Sequence, residues 1–111
     1  MKISDVKEIL NAEVICGEDL LEEEVFSACG CDLMSDVLAF VKNQGLLLTG
    51  LNNPQVVRTA FMMDMKAIVF VRGKKPDNEV VQLAQMKDII LLKTEERLYS
   101  ACGKLYNAGL I

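Results

Sequence analysis

The stretch Leu46–Pro76, LLLTGLNNPQVVRTAFMMDMKAIVFVRGKKP, reads as strand, turn, helix, strand and turn, and it decides the fold. Leu46-Leu47-Leu48 and Ala67-Ile68-Val69-Phe70-Val71 are short apolar runs without alternation, the pattern of strands covered on both faces. Asn53 stands where a helix N-cap belongs, and Pro54 suits the first helical position. A third run, Ile89-Ile90-Leu91-Leu92, follows, so strand starts recur every 21 to 22 residues. A β-α unit repeated at that interval predicts a parallel sheet joined by right-handed helical crossovers.

Working outward toward the amino terminus, Ser4 can cap a short first helix, with Asp5 and Glu8 near its positive end and Val6, Ile9 and Leu10 on one side. Ala12–Cys16 suggests a strand stopped by Gly17, and Glu18–Glu24 is acidic and turn-like. Val25–Cys31 reads as a second strand. Residues 32–42 read as a helix, with Leu33, Val37, Leu38 and Val41 at helical spacing, Asp32 or Ser35 at its start and Gly45 just past its end. Toward the carboxyl terminus, the loop RGKKPDNE leads into a helix over roughly Asp77–Met86. Thr94 can cap the last helix, Glu95 and Glu96 match its dipole, and Leu98, Ala101, Cys102 and Leu105 form its buried stripe before Gly109. No low-complexity linker divides the chain, so residues 1–111 are expected to form one α/β domain of five strands and about five helices.

Composition narrows the class. Apolar residues make up 51% and charged residues 25%, which excludes disorder in a chain long enough for its own core. The apolar runs are strand length, far short of the ~20 residues needed to span a membrane. No basic segment followed by an apolar one opens the sequence, so a cytoplasmic protein without membrane attachment is expected. Residues 1–40 carry ten acids and two lysines, a net of −8, whereas residues 41–111 carry six acids and ten bases, a net of +4. Such a split favours self-association or an acidic strip for a partner, although solvated helix faces account for it equally simply. The pI of about 4.8 argues against a nucleic-acid binder.

Several kinds of chemistry lack their usual residues. The chain has no histidine, the commonest general base near neutral pH and the commonest metal ligand. Walker A, GxSxG and GxGxxG are all missing. No catalytic residue is assigned, and the chain is not read as an enzyme. Cys29-Gly30-Cys31 is C-x-C within a predicted strand, which puts both side chains on one face. Four thiolates can hold zinc or an iron–sulfur cluster. Cys16 and Cys102 are isolated, however, so reduced thiols in the core are the better reading, and no metal or cofactor is expected. Met62, Met63 and Met65 are expected to pack in the core, with a subunit interface as the competing use.

Binding is best sought in the turns that follow strands, because ligands of open α/β sheets sit beyond the carboxyl ends of the strands. Thr49, Gly50, Asn52 and Asn53 in the first such turn offer polar contacts. Arg72, Lys74 and Lys75 in the second place three cations beside a helix start, a setting for a phosphate or carboxylate. Solvated turns are the plain alternative, and Asp77 and Glu79 already supply negative charge there. Glu18, Glu22, Glu23 and Glu24 are too many carboxylates in seven residues to bury, so they should face solvent, either steering a basic partner or serving only as a solubilising loop.

Taken together, Asp32-Leu33-Met34-Ser35-Asp36-Val37-Leu38, Leu47-Leu48-Thr49-Gly50, Asn53-Pro54-Gln55-Val56-Val57-Arg58-Thr59-Ala60 and Ala67-Ile68-Val69-Phe70-Val71-Arg72-Gly73 resemble a DRTGG domain over nearly the whole chain. The literal signature is absent: its Asp-Arg would fall near Asn52-Asn53 and its Thr-Gly-Gly near Val71-Arg72-Gly73. The chain therefore resembles a divergent stand-alone branch, similar to small proteins encoded near iron-hydrogenase and HPr-kinase-like genes. The resemblance implies a Rossmann-like three-layer fold with a mostly parallel sheet of about five strands flanked by helices. It also implies a regulatory, dimerising module without chemistry of its own, since such domains accompany cystathionine-β-synthase-type (CBS) domains in regulatory pyrophosphatases. The expected function is a non-enzymatic regulatory or assembly module acting as a homodimer on an unidentified protein partner. The alternative is a sensor binding a nucleotide or other phosphorylated small molecule at Thr49, Gly50, Asn52, Asn53, Arg72, Lys74 and Lys75.

Overall fold

A computed structural model describes residues 1–40 and 45–111. The elements run α1 (Ile3–Leu10), β1 (Glu13–Cys16), a 3-10 turn (Glu18–Leu20), β2 (Ala28–Gly30), α2 (Met34–Phe40), β3 (Leu46–Thr49), α3 (Pro54–Met62), β4 (Ala67–Phe70), α4 (Asn78–Met86), β5 (Ile90–Lys93) and α5 (Leu98–Asn107). The strands form one sheet in the order β1-β5-β4-β3-β2. Strands β2 to β5 are parallel, with Ala28 beside Leu46, Leu46 beside Ala67 and Ala67 beside Ile90. The first strand, β1, closes one edge antiparallel to β5. The mostly parallel sheet read from the sequence is therefore present, with one antiparallel edge.

Two apolar layers sandwich this sheet. On one face Leu46, Leu48, Val69 and Leu92 meet Ile3, Val6 and Leu10 of α1 and Ala101 and Leu105 of α5. On the other, Leu47, Ile68, Phe70 and Leu91 meet Val37 of α2, Val56, Val57 and Ala60 of α3, and Val80 and Ala84 of α4. Every residue of β3 and β4 is buried, which explains the unbroken apolar runs.

The helix starts differ from expectation in instructive ways. Ser4 does not cap α1: Lys2 holds the cap position, and its N–H donates to the Asp5 carboxylate at 3.1 Å. Asn53 does hold the cap position of α3, in extended conformation before Pro54, but its side chain makes no capping bond. Thr94 does not cap the last helix, which begins four residues later. Its hydroxyl instead donates to the Leu10 carbonyl at 2.8 Å and accepts from the Glu96 N–H at 3.2 Å, pinning the end of β5 to α1. Asp77, read from the sequence as the first residue of this helix, instead caps α4 from just outside it, accepting from the Val80 N–H at 3.3 Å.

Strand β2 is shorter than its apolar run, because Val25 leaves the ladder and its N–H donates to the Met1 carbonyl at 2.8 Å. Met34 and Val37 carry the buried face of α2, whereas Leu33 and Leu38 are exposed; Val41 and Lys42 lie outside the described residues. Of the methionine cluster, Met65 is buried and Met63 half-buried against the core, but Met62 is 69% exposed and does not pack there. No helix among the described residues is long and apolar enough to cross a membrane.

Candidate functional site

Parallel pairing in register brings the carboxyl ends of β2, β3, β4 and β5 to one edge of the sheet. The residues that follow each strand gather there and are stitched across. The Cys31 N–H donates to Leu48 O and the Val71 N–H to Thr49 O, both at 3.0 Å. Farther along, the Arg72 N–H donates to Glu96 O at 2.8 Å and the Gly73 N–H to Thr94 O at 2.9 Å. The second of the two predicted binding turns thus stands between the first and the end of β5. Arg72 and Gly73 both adopt left-handed backbone, φ +58° and +67°, which turns the chain sharply out of β4.

Asp32, two residues past β2, organises this edge. Its Oδ1 accepts from the Gly50 N–H at 2.7 Å and from the Thr49 hydroxyl at 2.9 Å. Its Oδ2 lies 3.7 Å from the Arg72 guanidinium. These contacts hold its carboxyl below the usual carboxylate range, chiefly through the Gly50 N–H, helped by Thr49 and Arg72 and opposed by partial burial. The Thr49 hydroxyl also accepts from the Leu51 N–H at 3.2 Å, closing the turn. The guanidinium of Arg72 lies across Gly50, where a methyl group on this residue would displace it.

The sequence-predicted ligand residues therefore meet, but not as a free cluster. Thr49 and Gly50 are committed to Asp32, and Arg72 is paired with the same carboxylate rather than open to an anion. Asn52 ties the two turns together, its Nδ2 donating to Lys75 O at 3.3 Å. Lys74 and Lys75 are exposed and form no ion pair among the described residues. Asn53 is exposed beside the start of α3. The start of α4 is occupied by its own Asp77 carboxylate, so an anion held by the lysines would have the start of α3 as its open helix terminus.

From the sequence, Asp32 is one of two candidate helix caps, with Ser35, and is not placed in the site. The signal was available: the rule that points to residues after β3 and β4 points equally to the residue after β2.

The acidic set lies elsewhere. Glu18, Glu22, Glu23 and Glu24 are all exposed, as their density required, and Glu22 to Glu24 run beside the start of α1. Glu22 is paired with Lys2 at 2.8 Å, which partly neutralises the cluster. Cys29 and Cys31 pack against the same face of the sheet, as the C-x-C spacing implied. Burial pushes the thiols of Cys16, Cys29 and Cys102 up. Among the described residues no three His, Cys, Asp or Glu side chains group closely enough to hold a metal ion.

The DRTGG domain model matches residues 5–108 of the chain. Comparison with curated proteins gave no match. Among solved structures, the chain is similar to the CBS and DRTGG domains of the regulatory region of Clostridium perfringens pyrophosphatase, crystallised with the activator diadenosine tetraphosphate. The TM-score is 0.76 at 15% identity, over 94% of this chain and 45% of that one. A likeness at that identity speaks for the fold, and the chain spans less than half of the pyrophosphatase region it matches.

Proposed function

The chain belongs to the DRTGG domain family, and we propose that it is a cytoplasmic, non-enzymatic regulatory or assembly module acting as a homodimer. The observation that carries this reading is how the strand-end edge uses its polar groups. Asp32, the carboxylate at its centre, is engaged in holding three turns together, accepting from Thr49 and Gly50 and facing Arg72. The net charges of −8 and +4 on residues 1–40 and 41–111 also favour a twofold assembly in which unlike regions meet. The exposed Glu18, Glu22, Glu23 and Glu24 are the surface offered to a basic protein partner in this reading. Sedimentation equilibrium from micromolar to millimolar chain is the test. The expected result is a particle of twice the 12.3 kDa chain mass, and a monomer over the whole range refutes it.

A second reading, sensing of a nucleotide or other phosphate-bearing small molecule, is favoured by the convergence of the two turns. Lys74 and Lys75 would take the phosphate and Asn53 and Asn52 the polar remainder, with Arg72 swinging from Asp32 to the anion. A ligand at 100 times its Kd raises stability by about 2.7 kcal/mol, so a thermal-shift series with nucleotides and sugar phosphates reads it directly. Lys74→Ala with Lys75→Ala should abolish the shift. No shift with any anion, or one that survives the double variant, removes this reading.

A further inference from the structure

We infer that a groove under the amino-terminal ends of the strands docks a short, extended, arginine- or lysine-bearing segment of a partner protein, which rests on the basic-partner reading above and gives it a place. Strand β1 lies at one edge of the sheet and β2 at the other. Cys16 stands beside Leu91 and Ala28 beside Leu46, so the chain leaves β1 and enters β2 at the same end of the sheet. Residues 17–26 therefore cross its width there. They are held to α1, where the Ile3 N–H donates to Glu23 O at 3.0 Å and the Ser4 N–H to Leu21 O at 2.9 Å. Opposite this wall stand the turns from α3 into β4 and from α4 into β5, and adjoining cavities lie between. One of about 160 Å³ reaches from Cys16 to Asp88. The next, of about 370 Å³, shares Leu20, Asp88 and Ile89 with it and extends to Lys66. A third shares Asp64 and Lys66 with the second and ends at Phe26, so the groove is continuous from β1 to β2.

The lining selects the occupant by charge. Asp19, Glu23, Glu24, Asp64 and Asp88 border the groove on both walls. All five are exposed, and none forms an ion pair among the described residues. The only cations among the lining residues are Lys66 and Lys87, and Lys87 is engaged over the ring of Phe61, 4.3 Å from its centroid. Asp64 and Asp88 repeat one another: each follows the C-cap of its helix in left-handed backbone, φ +57° and +56°. Glycine or asparagine is the ordinary residue there, and the negative end of a helix prefers a base to an acid. Both turns thus make the choice that is poorer for the helix and that gathers negative charge in the groove. Such a cleft attracts a cationic segment and repels an anionic one. Phe26, 77% exposed, and Phe61, 50% exposed, add ring surface that a guanidinium covers well. Five strands about 4.8 Å apart span roughly 19 Å, which about six extended residues fill.

The test is fluorescence anisotropy of labelled hexa-arginine titrated with the full chain at low and at physiological ionic strength. The chain is used as wild type, as Asp64→Asn with Asp88→Asn, and as Glu13→Gln with Glu79→Gln, which removes two charges away from the groove. Asparagine accepts left-handed backbone readily, so the groove variant should keep its fold, which circular dichroism checks. The expected result is salt-sensitive binding by wild type, weakened at least about fivefold in the groove variant, as the loss of two ion pairs implies. The Glu13 and Glu79 variant should bind as wild type does. Equal binding by the two double variants overturns the groove and leaves the basic-partner reading standing, whereas no binding by wild type at low ionic strength overturns both. Self-association of wild type, read by sedimentation, that the groove variant alone abolishes assigns the groove to a second copy and also overturns the inference.

Discussion

Removing the Asp32 carboxylate should loosen the strand-end edge by an amount that its contacts allow one to bound. Asp32→Ala deletes two hydrogen bonds to a charged acceptor, at 2.7 and 2.9 Å, and leaves the N–H of buried Gly50 without its partner. Bonds to charged groups contribute about 1.5–3 kcal/mol each, and an orphaned buried donor costs about 1–3 kcal/mol. The carboxylate is 43% exposed, so water competes for it and the low end of those ranges applies. The 3.7 Å contact with Arg72, itself 41% exposed, adds at most about 1 kcal/mol. The expected loss is about 3–4 kcal/mol, or roughly 12–16 °C in Tm for a domain of this size.

Asp32→Asn separates the causes, because its amide oxygen can still accept from Gly50 and Thr49 while the charge is gone. It should lose only about 1 kcal/mol. Urea unfolding of the three proteins at neutral pH is the assay. An Asp32→Ala variant within about 0.5 kcal/mol of wild type refutes the pinning role, as does an Asn variant damaged as much as Ala. The pH dependence has a definite sign. A carboxyl whose folded pKa is lowered contributes stability that is complete above its unfolded value, about 3.9, and lost as pH falls through the folded one. The gap between wild type and Asp32→Asn should therefore close as the solution is acidified below about pH 4.

Two further substitutions test the packing. Gly17 has φ +88°, and a methyl group on it would stand 3.0 Å from the Ile90 backbone Cα, so Gly17→Ala should lose about 2 kcal/mol or more in thermal or urea unfolding. The hydroxyl of buried Thr59 has no hydrogen-bond partner among the described residues, so Thr59→Val should hold or raise stability, by up to about 1 kcal/mol in the same assay.

How much of the fold was legible depended on burial. Strands β3, β4 and β5 showed as apolar runs because both faces are covered, and three such runs at near-equal spacing leave little but a parallel sheet. Edge elements were read less sharply. The Val25–Cys31 run has the composition of a strand throughout, yet only Ala28–Gly30 pairs, because Val25 bonds instead to Met1, 24 residues away. The missed caps have the same origin. The Thr94 hydroxyl finds the Leu10 carbonyl across 84 residues, a partner that no local pattern reveals, and is lost to the helix it stood before.

The site was half legible for a related reason. A rule about strand ends located Thr49–Asn53 and Arg72–Lys75, since each follows a recognisable buried strand. It could not say whether the charges there were free, and the answer turned on Asp32. That residue follows the shortest strand, β2, and stands where the sequence offers a ready helical explanation for any Asp. Only the register of β2 against β3, with Gly30 beside Leu48 and Cys31 bonded to it, carries Asp32 to the Gly50 N–H. The same register sets Arg72, after β4, within reach of a carboxylate from two strands away. Three turns that are distant in sequence thus share one ion pair and two hydrogen bonds. A negatively charged ligand reaching Arg72 has to compete with Asp32 for it, and any success would leave Oδ2 without its cation while Oδ1 still holds Thr49 and Gly50.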